Sequence, residues 1–239
     1  MKNIVVIGSG VMGRGIAYVS AVGGFHTTLV DISQEQLIRA EKEIDSIFEK
    51  GLIRNKITAV DMEAGKNRLT YSVSLAQHVS AADLVIEAVP EVMDIKKNIF
   101  EVIDQHAPEH CCFATNTSTM SPTEIGSFTK RPDKVIAMHF FNPVPKMPLV
   151  EIIKGLETSE ETSQSIKRAA ELMGKETVVI NEFPGFVTSR ISALVGNEAF
   201  YMLQERLGST DEIDKAIKLR LNYPMGPSEL RDLVGVDTR

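Results

Sequence analysis

The chain has 239 residues, 43% hydrophobic and 24% charged, which suits one large domain, or one domain with a smaller appendage, and excludes a peptide-sized fold held by disulfides. Its 32 acidic residues outnumber its 26 basic ones and give a net charge of −6, so it lacks the basic surface of a general nucleic-acid-binding protein. No apolar run approaches the roughly 20 residues of a membrane span, and the two cysteines, Cys111 and Cys112, are adjacent, which favours a reducing, cytoplasmic location.

The chain begins with a strand–helix–strand–helix pattern. Residues 2–7 form a short β-branched run that predicts a strand, and residues 11–22 have helical character. A second β-branched run, at residues 27–30, predicts another strand. Ser33 and Gln36 then form a capping-box signature before apolar residues at helical spacing. We therefore expect a βαβα unit at the amino terminus.

The middle of the chain alternates between predicted helices and strands. Residues 50–67 are polar and charged and predict a second helix, joined to the preceding one by a turn near residues 51–56; we interpret this hairpin as an insertion on the sheet. Further strands are predicted at 84–89, 112–115, 135–140, 149–153 and 177–180, with helices at 93–106 and 160–173. Strands that alternate with helices predict a mostly parallel, doubly wound α/β sheet.

The pattern changes after Pro184 and Gly185, where helices follow without strands. One amphipathic helix is predicted over residues 186–205, another over 209–219, and a third from Pro227. We therefore predict a first domain over residues 1–184 and an all-α carboxyl-terminal domain over residues 185–239. The second is short for an independent core.

A glycine-rich motif at residues 8–13 predicts a dinucleotide site. The sequence GSGVMG has the form G-x-G-x-x-G, directly after the first predicted strand and at the start of the first predicted helix. In a Rossmann fold such glycines permit a tight turn and let a pyrophosphate approach the helix amino terminus. The residues assigned to the cofactor here are Gly8, Gly10, Val11, Met12 and Gly13.

Asp31 stands 23 positions after the first glycine, at the end of the second predicted strand. A carboxylate there accepts hydrogen bonds from the adenosine ribose and repels a 2′-phosphate, which favours NAD over NADP. The motif alone leaves two alternatives open. One is a flavin, and the other is a simple glycine turn followed by a capping aspartate.

A histidine and a glutamate on successive predicted strands indicate acid–base chemistry. His139 lies on the 135–140 strand, and Glu151 follows on the next strand, after a proline-rich turn that can bring its carboxylate beside the imidazole. Ser118 comes just after the 112–115 strand, at the edge where open α/β sheets bind ligands. These groups suit hydride removal from a secondary alcohol, which needs a base for the hydroxyl proton and donors for the oxygen. The alternatives are a buried core histidine and a helix-capping serine.

Six motifs occur together in a characteristic order. They are GSGVMG at 8–13, ATNTS at 114–118, HFFNPV at 139–144, LVE at 149–151, PGFV at 184–187 and NYPMGP at 222–227. With them the chain resembles the L-3-hydroxyacyl-CoA dehydrogenases, and within that family the bacterial 3-hydroxybutyryl-CoA dehydrogenases, over essentially its whole length. HFFNP is far more specific than the glycine loop.

The resemblance implies NAD-dependent interconversion of (S)-3-hydroxyacyl-CoA and 3-oxoacyl-CoA, with 3-hydroxybutyryl-CoA and acetoacetyl-CoA as the expected pair. It implies that His139 is the general acid/base and Glu151 its partner. It further implies that Ser118 binds the C3 oxygen of the substrate and that Asn142 supports the site.

The resemblance also implies further cofactor and substrate contacts. It places Glu91, Lys96 and Asn116 near the nicotinamide end of the cofactor. The alternatives are that Glu91 caps a helix and that Lys96 is a solvated charge. The helical hairpin resembles a segment that contacts CoA in the family, so Lys50, Arg54 and Lys56 are candidates for its phosphates, with simple solvation as the alternative.

Four positions depart from the family pattern. Ser189 stands where an asparagine is common, and we keep it as a candidate site residue. Arg220 and Arg231 stand where glycine is expected, and Ser228 where an aromatic or aliphatic residue is expected, so we expect disturbed helix packing. Relatives continue with further helices that complete the second domain and its dimer interface. A homodimer is therefore expected for the full-length family, and we expect it to need those helices.

Two rival functions remain. A hydroxyisobutyrate-type β-hydroxyacid dehydrogenase also opens with a glycine loop, but it uses a catalytic lysine in the helical region, and residues 189–204 contain no lysine. That rival also leaves the His–Glu pair unexplained. The other rival is a nucleotide-binding or structural protein without turnover. We predict no metal site, because Pro108 interrupts the helix between His106 and His110.

Overall fold

A computed structural model of the protein describes residues 1–234. The chain divides into two compact units, one of residues 1–183 and one that begins at Pro184. The strands, all in the first unit, are β1 Asn3–Ile7, β2 His26–Val30, β3 Leu69–Ser72, β4 Leu84–Glu87, β5 Cys112–Thr115, β6 Val135–Phe140, β7 Leu149–Lys154 and β8 Glu176–Asn181. Its helices are α1 Val11–Val22, α2 Gln34–Ile53, α3 Ala59–Asn67, α4 Leu75–Val79, α5 Met93–His106, α6 Pro122–Gly126 and α7 Glu160–Leu172, with a 3₁₀ turn at Pro132–Lys134.

The strands form one sheet in the order β3-β2-β1-β4-β5-β6-β7-β8. Neighbouring strands are parallel except β6 and β7, which are antiparallel. The predicted mostly parallel α/β sheet is therefore confirmed. Because β7 reverses direction, its amino-terminal half lies at the same edge as the carboxyl ends of β1 and β4–β6.

Helices cover both faces of this sheet, as the alternation of side chains along each strand requires. In β1, Ile4 and Val6 face a core that includes apolar residues of α1, α2 and α7. Val5 and Ile7 face the opposite core, which includes residues of α4, α5 and α6. Since both faces are buried, the central strands are continuous apolar runs, which made them visible in the sequence.

The helical hairpin differs from its predicted boundaries. Helix α2 continues past Lys50 to Ile53, and α3 begins only after Thr58, which caps it in a reciprocal pair with Asp61. The prediction of a helix from residue 50 was therefore wrong at its start. Both helices lie in the connection between β2 and β3. Neither β3 nor α4 was predicted, because each is only four or five residues long and β3 is a half-buried edge strand.

The second unit contains three helices within the described residues: α8 Thr188–Gln204, α9 Thr210–Leu221 and α10 Pro227–Val234. Arg220 is exposed in the last turn of α9, where a cation is favourable. The Arg231 guanidinium lies against Gly196 of α8, where an added Cβ would be 2.4 Å from it. Arg220 is therefore solvated, and Arg231 lies opposite a residue without a side chain, while disturbed packing at these arginines stays a prediction. Ser228 is the second residue of α10, and its amide donates to Asp214 Oδ1.

No helix within residues 1–234 has the combination of length and apolar character that a transmembrane segment needs.

Candidate active site

The carboxyl-terminal edge of the sheet carries a buried histidine–glutamate pair. His139 on β6 and Glu151 on β7 are directly opposite each other in the antiparallel ladder. His139 Nδ1 lies 2.8 Å from Glu151 Oε2. His139 is 7% exposed and Glu151 is 0% exposed. The ladder therefore brings the two side chains together by backbone register, since opposed residues of such a ladder have their Cβ atoms about 5 Å apart.

This geometry assigns different roles to the two ring nitrogens. An ionised carboxylate only accepts hydrogen bonds, so Nδ1 is the nitrogen that donates to Glu151. Nε2 is then the nitrogen that can exchange a proton with a reacting group. The Phe141 ring lies against the imidazole, with the two ring centroids 4.5 Å apart. The buried carboxylate therefore fixes the orientation of the imidazole.

Asn116 and Ser118 follow the neighbouring strand β5. Asn116 Oδ1 accepts the Phe140 amide at 3.0 Å, so this side chain ties the end of β5 to the end of β6. The Ser118 amide donates to Glu91 Oε1 at 2.8 Å, and the Thr117 hydroxyl donates to the same oxygen at 2.8 Å. One carboxylate thus fixes the turn that presents the Ser118 hydroxyl.

Glu91 is itself part of a charged cluster with Lys96 and Glu87. Lys96 Nζ lies 2.8 and 2.9 Å from the two Glu87 carboxylate oxygens and 3.1 Å from Glu91 Oε2. The side chains of Lys96 and Glu87 are 1% and 0% exposed, and Thr115 donates its hydroxyl to Glu87. The alternative of Lys96 as a solvated charge is wrong, because its ammonium is buried among carboxylates. Its contact with a cofactor stays a prediction.

The pKa of Glu91 lies below its ordinary value. Burial alone would raise the pKa, but the Lys96 charge and the hydrogen bonds from Ser118, Thr117 and Lys96 outweigh that effect. Glu91 is therefore a permanent anion beside the Ser118 turn at neutral pH.

The glycine motif forms a cradle between β1 and α1. Gly8 has φ +98°, and a Cβ there would lie 2.6 Å from the Ala88 carbonyl oxygen. A Cβ on Gly13 would lie 1.7 Å from the Gly8 carbonyl oxygen, whereas Gly10, the N-cap of α1, faces open space. Gly8 and Gly13 allow β1 and α1 to approach each other, and Gly10 leaves room beside the first turn of α1. The unpaired amides of such a turn bind phosphate, so the cradle fits a dinucleotide pyrophosphate.

Asp31 ends β2 beside this cradle. Its Oδ2 accepts the Ser9 amide at 2.8 Å and the Ser9 hydroxyl at 2.7 Å, and its Oδ1 accepts the Ser33 amide at 3.1 Å. Burial tends to raise the pKa of Asp31, but these hydrogen bonds, with one from Ile32, hold it below the ordinary value of 3.8. The carboxylate is charged at neutral pH and held in a fixed orientation.

The remaining predicted site residues lie elsewhere. Asn142 is exposed in the loop between β6 and β7, three residues after His139, and its peptide bond to Pro143 is cis. Ser189 is the second residue of α8, in the other unit. Three exposed cations surround the end of α2 and the turn that follows it, namely Lys50, Arg54 and Lys56.

Two family models match the chain end to end. Residues 3–183 match the model described as 3-hydroxyacyl-CoA dehydrogenase, NAD binding domain, and residues 185–239 match the one described as 3-hydroxyacyl-CoA dehydrogenase, C-terminal domain. The chain belongs to the 3-hydroxyacyl-CoA dehydrogenase family. The family's NAD-binding domain therefore coincides with the unit that carries the glycine cradle, and NAD is the cofactor.

Individual members of the 3-hydroxyacyl-CoA dehydrogenase family are similar over the whole chain. A probable 3-hydroxybutyryl-CoA dehydrogenase of Bacillus subtilis is 43% identical, with 100% of this chain and 83% of that protein covered. The 3-hydroxybutyryl-CoA dehydrogenase of Clostridioides difficile is 41% identical, with coverage of 98% and 83%. The crystal structure of (S)-3-hydroxybutyryl-CoA dehydrogenase from Ralstonia eutropha superposes with a TM-score of 0.95 at 39% identity, covering 100% of this chain and 84% of that one.

Sequence reasoning missed several polar residues of this dehydrogenase site. Ser9 stands at a variable position of the glycine motif, and Thr117 stands within a run of small polar residues, so neither was distinctive. Glu87 offered a signal, because it is a charged residue at the end of an apolar strand, where it is 0% exposed. Within the described residues no three His, Cys, Asp or Glu side chains form a group that could hold a metal ion.

Replacement of Asp31 by alanine tests the ribose contact. We expect Asp31→Ala to lower the preference for NADH over NADPH at least about tenfold, because two like charges a few ångströms apart at a protein surface repel by roughly 1–4 kcal/mol. The measurement is the ratio of dissociation constants from nicotinamide fluorescence. The control is Asp45→Ala, which removes a carboxylate of α2 that pairs with Lys66 of α3. An unchanged ratio in Asp31→Ala would show that Asp31 does not read the ribose.

Proposed function

We propose that the protein interconverts (S)-3-hydroxybutyryl-CoA and acetoacetyl-CoA with NAD as the hydride carrier. The observation that carries this proposal is the buried His139–Glu151 hydrogen bond of 2.8 Å, at the sheet edge shared with the glycine cradle. An acid–base pair beside a dinucleotide site is what oxidation of a secondary alcohol requires. Similarity to the Bacillus, Clostridioides and Ralstonia proteins supports the four-carbon substrate.

In the oxidation direction, we infer that His139 Nε2 takes the proton of the C3 hydroxyl. NAD held by the glycine cradle and Asp31 would supply the hydride acceptor for C3, so that the products are a ketone at C3 and one proton on the imidazole. Glu151 holds the ring in place through Nδ1, and the proton on Nε2 then passes to water. In the reduction direction NADH would supply the hydride to C3, and His139 returns the proton to the C3 oxygen.

We infer that the turn after β5 positions the C3 oxygen of the substrate. Ser118 is half-buried, and its hydroxyl can donate to a substrate oxygen on which negative charge develops. Glu91 keeps the turn in place through the Ser118 amide. Asn142 follows β6 and is the candidate for a further contact at the same edge, and Ser189 stays a candidate site residue. Lys50, Arg54 and Lys56 remain the candidates for the CoA phosphates.

Steady-state assays with three substrate and cofactor pairs test the proposal. We expect acetoacetyl-CoA to cause loss of NADH absorbance, and 3-hydroxybutyryl-CoA to cause its appearance with NAD. Hydroxyisobutyrate-dependent NADH formation would instead identify the other β-hydroxyacid dehydrogenase class. NADH binding without turnover of any of these substrates would indicate a binding protein. Comparison of four-carbon with longer acyl chains then defines the preferred length.

A further inference from the structure

The loop that connects β6 to β7 has few hydrogen-bond donors of its own. It comprises residues 141–148, and three of these are prolines, Pro143, Pro145 and Pro148, which have no amide hydrogen. Carbonyl groups of such a loop that turn toward the protein interior need donors from another part of the chain. This loop carries Asn142 and joins the strands of the acid–base pair.

Lys175 supplies donors to this loop from the residue before β8. Its Nζ lies 2.5 Å from the Val144 carbonyl oxygen and 2.8 Å from the Met147 carbonyl oxygen. The lysine is only 7% exposed, and burial lowers its pKa because the ammonium has lost water. Burying an ammonium that has only neutral carbonyl oxygens as partners costs folding free energy. We therefore asked what the Lys175 ammonium does for the loop that it bonds.

Two further contacts fix the same loop. The Val144 side chain is buried against Gly15 of α1, where an added Cβ would be 2.7 Å from Val144 Cβ. At the far end of the loop, the Glu176 amide donates to the Pro148 carbonyl oxygen at 2.8 Å. The loop is therefore attached to the helix of the glycine cradle and to β8, and Lys175 bonds its middle.

We propose that Lys175 is a positioning residue for the dehydrogenase reaction, whose buried ammonium holds the 141–148 loop and thereby sets the position of Asn142 and the ends of the strands that carry His139 and Glu151. The proposal rests on the proposed function. Lys175 contacts neither substrate nor cofactor in this scheme, so its effect is on turnover and not on cofactor affinity.

Lys175→Met tests this role, because methionine keeps most of the side-chain volume and removes all three N–H donors. We expect kcat with acetoacetyl-CoA to fall roughly 10- to 100-fold, as displacement of a catalytic group by about 1 Å does. The dissociation constant for NADH should stay within about twofold, because Asp31 and the glycine cradle are untouched. The Lys146 and Met147 amides both donate to the Pro143 carbonyl oxygen. Measured on the protein without substrate or cofactor, their hydrogen exchange should be faster in Lys175→Met than in the wild type.

The matched control is Lys167→Met, which removes an exposed ammonium on α7 whose partner is Glu171 at 3.6 Å. It should leave kcat and loop exchange at wild-type values. The proposal is overturned if Lys175→Met keeps wild-type kcat and exchange. It is equally overturned if kcat and NADH affinity fall together while exchange rises throughout the first unit, since that result describes general destabilisation.

Lys175→Arg keeps a cationic group with several hydrogen-bond donors. If Lys175→Met does not fold, this variant tests the positioning role of Lys175. Recovery of loop protection together with kcat within about fivefold of wild type supports the proposal. Recovery of loop protection with kcat as low as that of a His139 variant contradicts it. If the wild-type protein does not turn over acetoacetyl-CoA, the proposed function fails, whereas loop exchange in Lys175→Met still tests the attachment of the loop.

Discussion

His139→Gln is expected to lower kcat for acetoacetyl-CoA reduction by roughly 10²-fold or more, because glutamine cannot supply the proton that the C3 oxygen takes up. Glutamine retains a polar side chain that can donate to Glu151, so the buried carboxylate keeps a partner. NADH affinity should be largely unchanged, because the glycine cradle and Asp31 lie on other strands. The measurements are steady-state loss of NADH absorbance and NADH binding by fluorescence.

The matched control for this substitution is His106→Gln. His106 is exposed at the end of α5, where its Nδ1 lies 2.9 Å from the Val102 carbonyl oxygen, and its replacement should leave turnover at the wild-type rate. Near-normal turnover in His139→Gln would remove this imidazole from the mechanism. A parallel loss of NADH affinity would indicate that the substitution damages the sheet edge as a whole.

Lys96→Met is expected to have the largest effect on stability. It leaves the Glu87 carboxylate, which is 0% exposed, without the ammonium that bonds both of its oxygens. Removal of one partner from a buried ion pair costs about 3–5 kcal/mol. The free energy of unfolding in urea, followed by circular dichroism, measures the loss.

A double substitution separates the charge effect from the loss of side-chain packing. Lys96→Met with Glu87→Gln removes both charges, and we expect it to recover a large part of the lost free energy. Lys97→Met is the control on the same helix; its ammonium lies over the Phe128 ring at 5.7 Å, a contact worth about 1 kcal/mol or less at an exposed site. If Lys96→Met were no less stable than Lys97→Met, the cluster would not stabilise the fold.

Much of the fold could be predicted because the central strands are buried on both faces. Strands such as β5 (CFAT) and β6 (VIAMHF) are mostly apolar, and their boundaries were predicted to the residue. Strand β3 was missed because its side chains are half-buried and its sequence, LTYS, is partly polar. The start of α3 was misplaced because Lys50 continues α2 while Thr58, a single capping residue, decides where the next helix begins.

In the candidate site, too, some residues could be predicted from the sequence and others could not. Glycines that follow a strand, and a histidine and a glutamate separated by a proline-rich turn, are spacing patterns that sequence alone displays. The clustering of Lys96 with Glu87 depends on a side chain that folds back onto the adjacent strand, and the contact of Lys175 with Val144 joins residues 31 positions apart. Such contacts follow from packing in three dimensions, so no local sequence pattern predicts them.

The reversed direction of β7 has a consequence for how deep the acid–base pair lies. In an antiparallel ladder a step of two residues along each strand, in opposite senses, keeps two side chains opposed and on the same face. Ala137 opposes Ile153 in this way, about 7 Å further from the sheet edge, and both of these residues are fully buried. The register of the ladder therefore puts the acid–base pair at the outermost paired position of its face, one step from a position that the core encloses completely.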